Sequence, residues 1–90
     1  MEEVIEFSID TADGVADCRV EITDTENEKR TFVVILYPHI TNGMLMSKVY
    51  EHELIPLSGG GYRFSDAAAI HPHVQLLEQD ISAEILKNRK

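Results

Sequence analysis

The chain has 90 residues, a formal net charge of −8, 43% hydrophobic and 27% charged residues, one cysteine and no tryptophan. This is the composition of one small globular domain spanning residues 1–90, not of a disordered chain. It excludes an intrachain disulfide and a cysteine-cluster zinc site. No apolar run approaches the roughly 18 residues of a membrane span, and the acidic start Glu2-Glu3-Val4-Ile5-Glu6 is unlike a basic leader, so a cytoplasmic location is expected. The charge is uneven: residues 1–28 hold ten acids and one base, the remainder six acids and seven bases. That acidity argues against contact with nucleic acid and for solubility or a basic partner.

In chain order, residues 4–10 alternate, with Ile5, Phe7 and Ile9 on one face and Glu6, Ser8 and Asp10 on the other. Thr11-Ala12-Asp13-Gly14 supplies a turn. Residues 16–24 then alternate again, with Cys18, Val20 and Ile22 inward and Asp17, Arg19, Glu21 and Thr23 outward. Cys18 reads as a buried, inert thiol. The Asp10–Asp17 stretch departs from a calcium loop, because Ala12 and Gly14 stand where ligands are needed.

After a polar connector, residues 30–55 form the segment whose pairing can be written down directly. Asn42-Gly43 between two long β-prone runs signals a two-residue type I′ hairpin. The register follows: Thr41 faces Met44, Ile40 Leu45, His39 Met46, Tyr37 Lys48, Leu36 Val49, Ile35 Tyr50 and Val33 His52. Period-2 alternation puts Phe32, Val34, Leu36, Ile40, Leu45, Val49 and Ile55 on one side, the expected core. The other side carries Val33, Ile35, Tyr37, Met44, Met46, Tyr50 and Leu54, with His39 and His52 among them, and the rings of Tyr37 and Tyr50 are expected to meet there. Glu51 and Glu53 fall opposite Val34 and Phe32, on the expected core side. A bulge or bend that carries both to water is the expectation, ahead of a paired-carboxylate acid/base site.

Residues 56–61 read as an irregular, flexible connector ending in three glycines, without the spacing of a phosphate cradle. Residues 62–65 read as a short strand pairing back on residues 50–55. Ser65-Asp66 offers a helix N-cap before Ala67-Ala68-Ala69-Ile70, and Pro72 restarts the helix. The main helix, from about Pro72 to Leu86, sets Val74, Leu77, Ile81 and Ile85 on one face, with Leu76 and Ile70 nearby.

The expected fold is therefore α+β: an antiparallel meander of four or five strands with one C-terminal helix on one face. The alternative is a small SH3-like barrel with a C-terminal helix. Four histidines raise a metal site, but the register separates His39 from His52 by about 20 Å, at roughly 3.3 Å per residue. His71 and His73 lack a third ligand that spacing can identify. No nucleophile stands in a motif with a histidine, so no catalytic residue, cofactor site or metal site is assigned.

The functional expectation is a non-enzymatic module that binds a protein or self-associates. If one helix covers Phe32, Val34, Leu36 and Val49, then Val33, Ile35, Tyr37, Met46 and Tyr50 are left as an apolar, aromatic interface. The alternative is an acidic decoy that occupies a basic surface through Glu6, Asp10, Asp17 and Glu21. Neither direct nucleic-acid binding nor membrane binding is expected.

Overall fold

The computed structural model describes residues 2–66 and 69–88. Five strands lie in simple meander order, β1 (Glu2–Thr11), β2 (Gly14–Asp24), β3 (Lys29–Thr41), β4 (Met44–Pro56) and β5 (Tyr62–Phe64). Two helical segments follow, α1 (Pro72–Gln75) and α2 (Glu78–Asn88). The α+β meander is as expected; the sheet is open, so the barrel alternative does not hold. The N-cap expected before Ala67 and Ala68 falls on a stretch of which those two residues lie outside the described residues.

The central hairpin has the expected register at every pair, from Thr31 opposite Leu54 to Thr41 opposite Met44. Asn42 and Gly43 take φ of 53° and 75°, the left-handed pair that a type I′ turn demands. The connector after β4 is a compact turn rather than a loose tether. Leu57 N–H donates to the Gly61 carbonyl at 2.9 Å and Gly60 N–H to the Leu57 carbonyl at 3.1 Å. Gly61 has φ of +89°, and a Cβ there would stand 2.9 Å from Ser82 Oγ, so glycine is required on both counts.

One expectation is reversed. The helices cover the side of the sheet that carries Val33, Ile35, Tyr37 and Leu54, and those residues are buried with Ile5, Ile9, Cys18, Val20, Ile22 and Phe64. Val74, Leu77, Ile81 and Ile85 are the helical contribution to this core, with Ile70, whereas Leu76 is exposed. The reason lies in the β2–β3 pairing. Val20 faces Val33 and Cys18 faces Ile35, so the inward residues of the first hairpin share a side with the odd-numbered residues of β3. Phe32, Val34, Leu36 and Val49 consequently lie on the uncovered side. The register runs through Glu51 and Glu53 without a bulge, and both lie on the uncovered side, Glu51 exposed and Glu53 partly exposed.

Where one main helix from about Pro72 to Leu86 was expected, two helical segments are separated at Leu76-Leu77. Leu77 N–H donates to the Val74 carbonyl at 3.0 Å, and the Leu77 carbonyl accepts from Ile81 at 2.8 Å, so a tight turn joins them. α2 also finishes the sheet edge. Tyr62 N–H donates to Ser82 Oγ at 2.9 Å and Phe64 N–H to Glu78 Oε2 at 3.0 Å, satisfying the outward backbone donors of the edge strand β5. Among the described residues no helix is long and apolar enough to cross a membrane.

Candidate functional site

Two surfaces concentrate chemistry, one on each side of the sheet. The first is the uncovered face. Its centre is the β3 column Phe32, Val34 and Leu36, joined across the β4 pairing by Val49 and continued onto the projecting hairpin tip by Ile40 and Leu45. Carboxylates flank this column on both sides: Glu21 and Asp17 stand opposite Phe32 and Leu36 from β2, and Glu53 and Glu51 stand opposite Phe32 and Val34 from β4. Glu6 lies one strand further out, opposite Arg19. Asp10 belongs to the same side by alternation. The acidic residues of the first hairpin and the apolar column thus form a single surface, where sequence reasoning had placed them apart.

The local charges on this face are partly ordered. Arg19 pairs with Glu21 at 3.4 Å, and Ser8 Oγ donates to Asp17 at 2.8 Å. Arg30 reaches Glu53 at 3.7 Å while its guanidinium lies 5.5 Å from the centre of the Phe32 ring, covering that end of the column. These exposed pairs contribute little to stability and leave the carboxylates available to a partner.

Of the residues expected to form a partner-binding sheet face, Val33, Ile35 and Tyr37 are buried under the helices. Tyr50 is half-buried and packs against the same core. Met46 alone is well exposed, on the projecting tip. These five therefore do not make one exposed interface. The rings of Tyr37 and Tyr50 each meet His39 rather than each other, with centroids 5.1 Å and 6.1 Å away.

The second surface is a histidine cluster on the helix side, where the hairpin tip meets the start of α1. His39 and Tyr50 share a hydrogen bond of 3.0 Å between Nε2 and Oη. The His71 ring lies 5.7 Å from both His39 and Tyr50, and 5.2 Å from His73. Local sequence explains the placement. His71 is the N-cap of α1, its Nδ1 accepts from His73 N–H at 3.2 Å, and Pro72 at the first helical position needs no acceptor. His73 Nδ1 is 3.4 Å from an Asp13 carboxylate oxygen that also accepts from Tyr37 Oη at 3.3 Å. Desolvation within the cluster, followed by the charges of His73, His39 and Lys48, holds the His71 imidazole below the ordinary histidine value.

Sequence reasoning separated His39 from His71 and His73 because it laid the helix on the opposite face. The register did place His39 on the Tyr37 side, so the correct choice of covered face would have brought them together. Among the described residues, no group of three His, Cys, Asp or Glu side chains is placed to hold a metal ion. His52 remains apart from the cluster, its ring 5.6 Å from Phe64 and its Nε2 buried without a hydrogen-bond partner. Burial, and then the Asp17 carboxylate, push the Cys18 thiol up to about 12, so it carries no thiolate at neutral pH. The chain matches no protein-family model, no curated protein and no solved structure, so the functional reading rests on the chemistry of these two surfaces.

Proposed function

We propose that the chain is a non-enzymatic protein-binding module whose uncovered sheet face docks a basic, amphipathic segment of another protein. The observation that carries this reading is the column of exposed Phe32, Leu36 and Val49 and half-buried Val34, bordered on both sides by Asp17, Glu21, Glu51 and Glu53. An apolar strip supplies burial energy, and the flanking carboxylates select a partner whose own apolar stripe is edged by Lys or Arg. From Phe32 to Ile40 the column spans about 27 Å at ~3.4 Å per residue, the length of a helix of about 18 residues at ~1.5 Å each.

Charge also favours a foreign partner over a second copy. Face-to-face self-association would set the carboxylates of one copy against those of the other, since Asp17, Glu21, Glu51 and Glu53 around the column outnumber Arg19 and Arg30. The module is therefore expected to be monomeric across a wide concentration range in light scattering. The same face supports a second reading, an acidic decoy for a basic protein surface, since Glu6, Asp10, Asp17 and Glu21 lie on it.

A designed helical peptide of about 18 residues, with a leucine stripe flanked by lysines, tests the proposal by NMR titration. Saturable shifts centred on Phe32, Val34, Leu36 and Val49, abolished when the lysines become glutamates, are expected. Shifts scattered over both sides of the sheet, or none, would overturn it. Salt separates the two readings: a decoy held by charge alone loses binding steeply between low and high ionic strength, while column docking retains its apolar part.

A further inference from the structure

The groove beside the histidine cluster is a second site, centred on the helix side of the sheet and reaching the hairpin tip at Ile40, the end of the docking column. It is a space of about 480 Å³ walled by His39, Ile40, Thr41, Met46, Ser47, Lys48, Tyr50 and His71. That volume lies in the range of small-ligand pockets. In a chain with twice as many acids as bases, its wall contains no carboxylate, whereas the grooves on the open face are lined by Glu6 and Asp17. Lys48 makes no ion pair with any described carboxylate, and its Nζ stands 5.5 Å from the centre of the Tyr50 ring. The nearby Asp13 does not line the groove and is occupied by Tyr37 and His73.

We infer that this groove binds a phosphate monoester, with the phosphate held by Lys48, His71 and the His39–Tyr50 pair and the ester substituent lying on Met46. The donors come from three separate segments, β3, β4 and the residue before α1. A tetrahedral anion with several acceptor oxygens can meet donors arriving from different directions, while a planar carboxylate offers two. After desolvation, the charges of His73, His39 and Lys48 set an electrostatic balance against protonation of His71. An anion in the groove reverses that balance. The groups facing His71 are His39 and Tyr50 from the hairpin, Lys48 from β4 and His73 from α1, with Asp13 beyond His73.

The test is an NMR titration of the whole chain with phenyl phosphate, with inorganic phosphate and benzyl alcohol as partial ligands and phosphatidic-acid vesicles as the lipid form of the same monoester. Phenyl phosphate is expected to shift the rings of His39, Tyr50 and His71 saturably, more tightly than either partial ligand, and to move the His71 titration upward. Lys48→Met, a change at an exposed position, should weaken binding about tenfold or more, the loss expected of a charge-assisted contact. Tyr50→Phe, which keeps the ring and removes the hydroxyl, should weaken it by a smaller factor. Vesicle binding that Lys48→Met abolishes would assign the monoester to a lipid headgroup, and binding of phenyl phosphate without vesicle binding would assign it to a soluble ester. No saturable shift, unchanged affinity in Lys48→Met, or a His71 titration unmoved by ligand would each overturn the inference.

Discussion

Two neighbouring side chains on β3 allow the assignment of faces to be tested in a single strand. Ile35 is 0% exposed and sits between Cys18 and Tyr50 on the covered side, while Leu36 is 38% exposed and sits between Asp17 and Val49 on the open side. Ile35→Ala removes atoms from a closed core and leaves a cavity, a change that costs about 2–5 kcal/mol. For a domain of this size each kcal/mol lowers the melting temperature by roughly 4–8 °C, so a fall of about 10 °C or more is expected. Leu36→Ala is different in kind. Solvent already reaches the side chain, no enclosed cavity forms, and a loss of about 1 kcal/mol is the most that its partial burial supports. The same Leu36→Ala change should abolish most of the shift produced by the lysine-edged peptide. Urea unfolding of both variants, followed by circular dichroism, measures the first effect, and peptide titration of Leu36→Ala measures the second. Equal destabilisation by the two changes, or a Leu36→Ala protein that binds the peptide as the parent does, would refute the placement of the apolar column on a free face.

The covered side yields further expectations. Tyr50→Ala should lower stability by about 2–3 kcal/mol as measured by urea unfolding, less than a fully enclosed aromatic, because Tyr50 is only half-buried. Ser82→Ala leaves the Tyr62 N–H without its acceptor and should cost about 1–2 kcal/mol, with faster amide exchange at Tyr62 as the local readout. His52→Leu removes a buried nitrogen that has no partner, so calorimetry should find it neutral or more stable by about 1 kcal/mol, unlike most core changes. The folded chain opposes protonation of His71, so its contribution is present above the unfolded value of about 6.5 and is lost as pH falls through the lower folded value. Ring C–H titration should find His71 below an ordinary histidine, and Lys48→Met should bring it upward.

The hairpin register was legible because one dipeptide, Asn42-Gly43, determines every pair across β3 and β4 through its turn geometry. Period-2 alternation likewise identified the inward residues of β1 and β2, and helical periodicity identified Val74, Leu77, Ile81 and Ile85. Which side of the central hairpin the helices cover was not legible from that hairpin alone, since both sides are apolar. Two signals bore on it. Glu51 and Glu53 share a side with Val34 and Phe32, and two carboxylates in mid-strand are better evidence of water than of a bulge. The connector between β2 and β3 supplies the other, because its length sets Val20 opposite Val33 and so aligns the two apolar sides. The histidine cluster was hidden for the same reason: His39 and His71 are 32 positions apart in the numbering, and only the correct covered side brings the start of α1 onto the hairpin.

The manner in which the sheet can meet a partner follows from how its edges are finished. A flat sheet with a free, apolar edge invites strand addition by any extended chain. Here β5 is only three residues long, and its outward donors at Tyr62 and Phe64 are taken by Ser82 and Glu78 of α2. The opposite edge is β1, whose open-side residues include Glu2, Glu6 and Asp10, so like charges would accumulate if another β1 aligned beside it. Edge growth is thus opposed at both ends by different means, covering at one and charge at the other. The side-on column of Phe32, Val34, Leu36 and Val49 remains an accessible apolar surface in mid-sheet, and it offers side chains rather than backbone hydrogen bonds. A partner that satisfies its own backbone suits such a surface, as a helix does, and an extended peptide does not. Replacing the central Val34 with lysine should therefore abolish docking of the helical peptide, through lost contact and through charge repulsion of its lysines, while leaving the fold unchanged by circular dichroism. Binding retained by Val34→Lys would mean that the column is not where the partner sits.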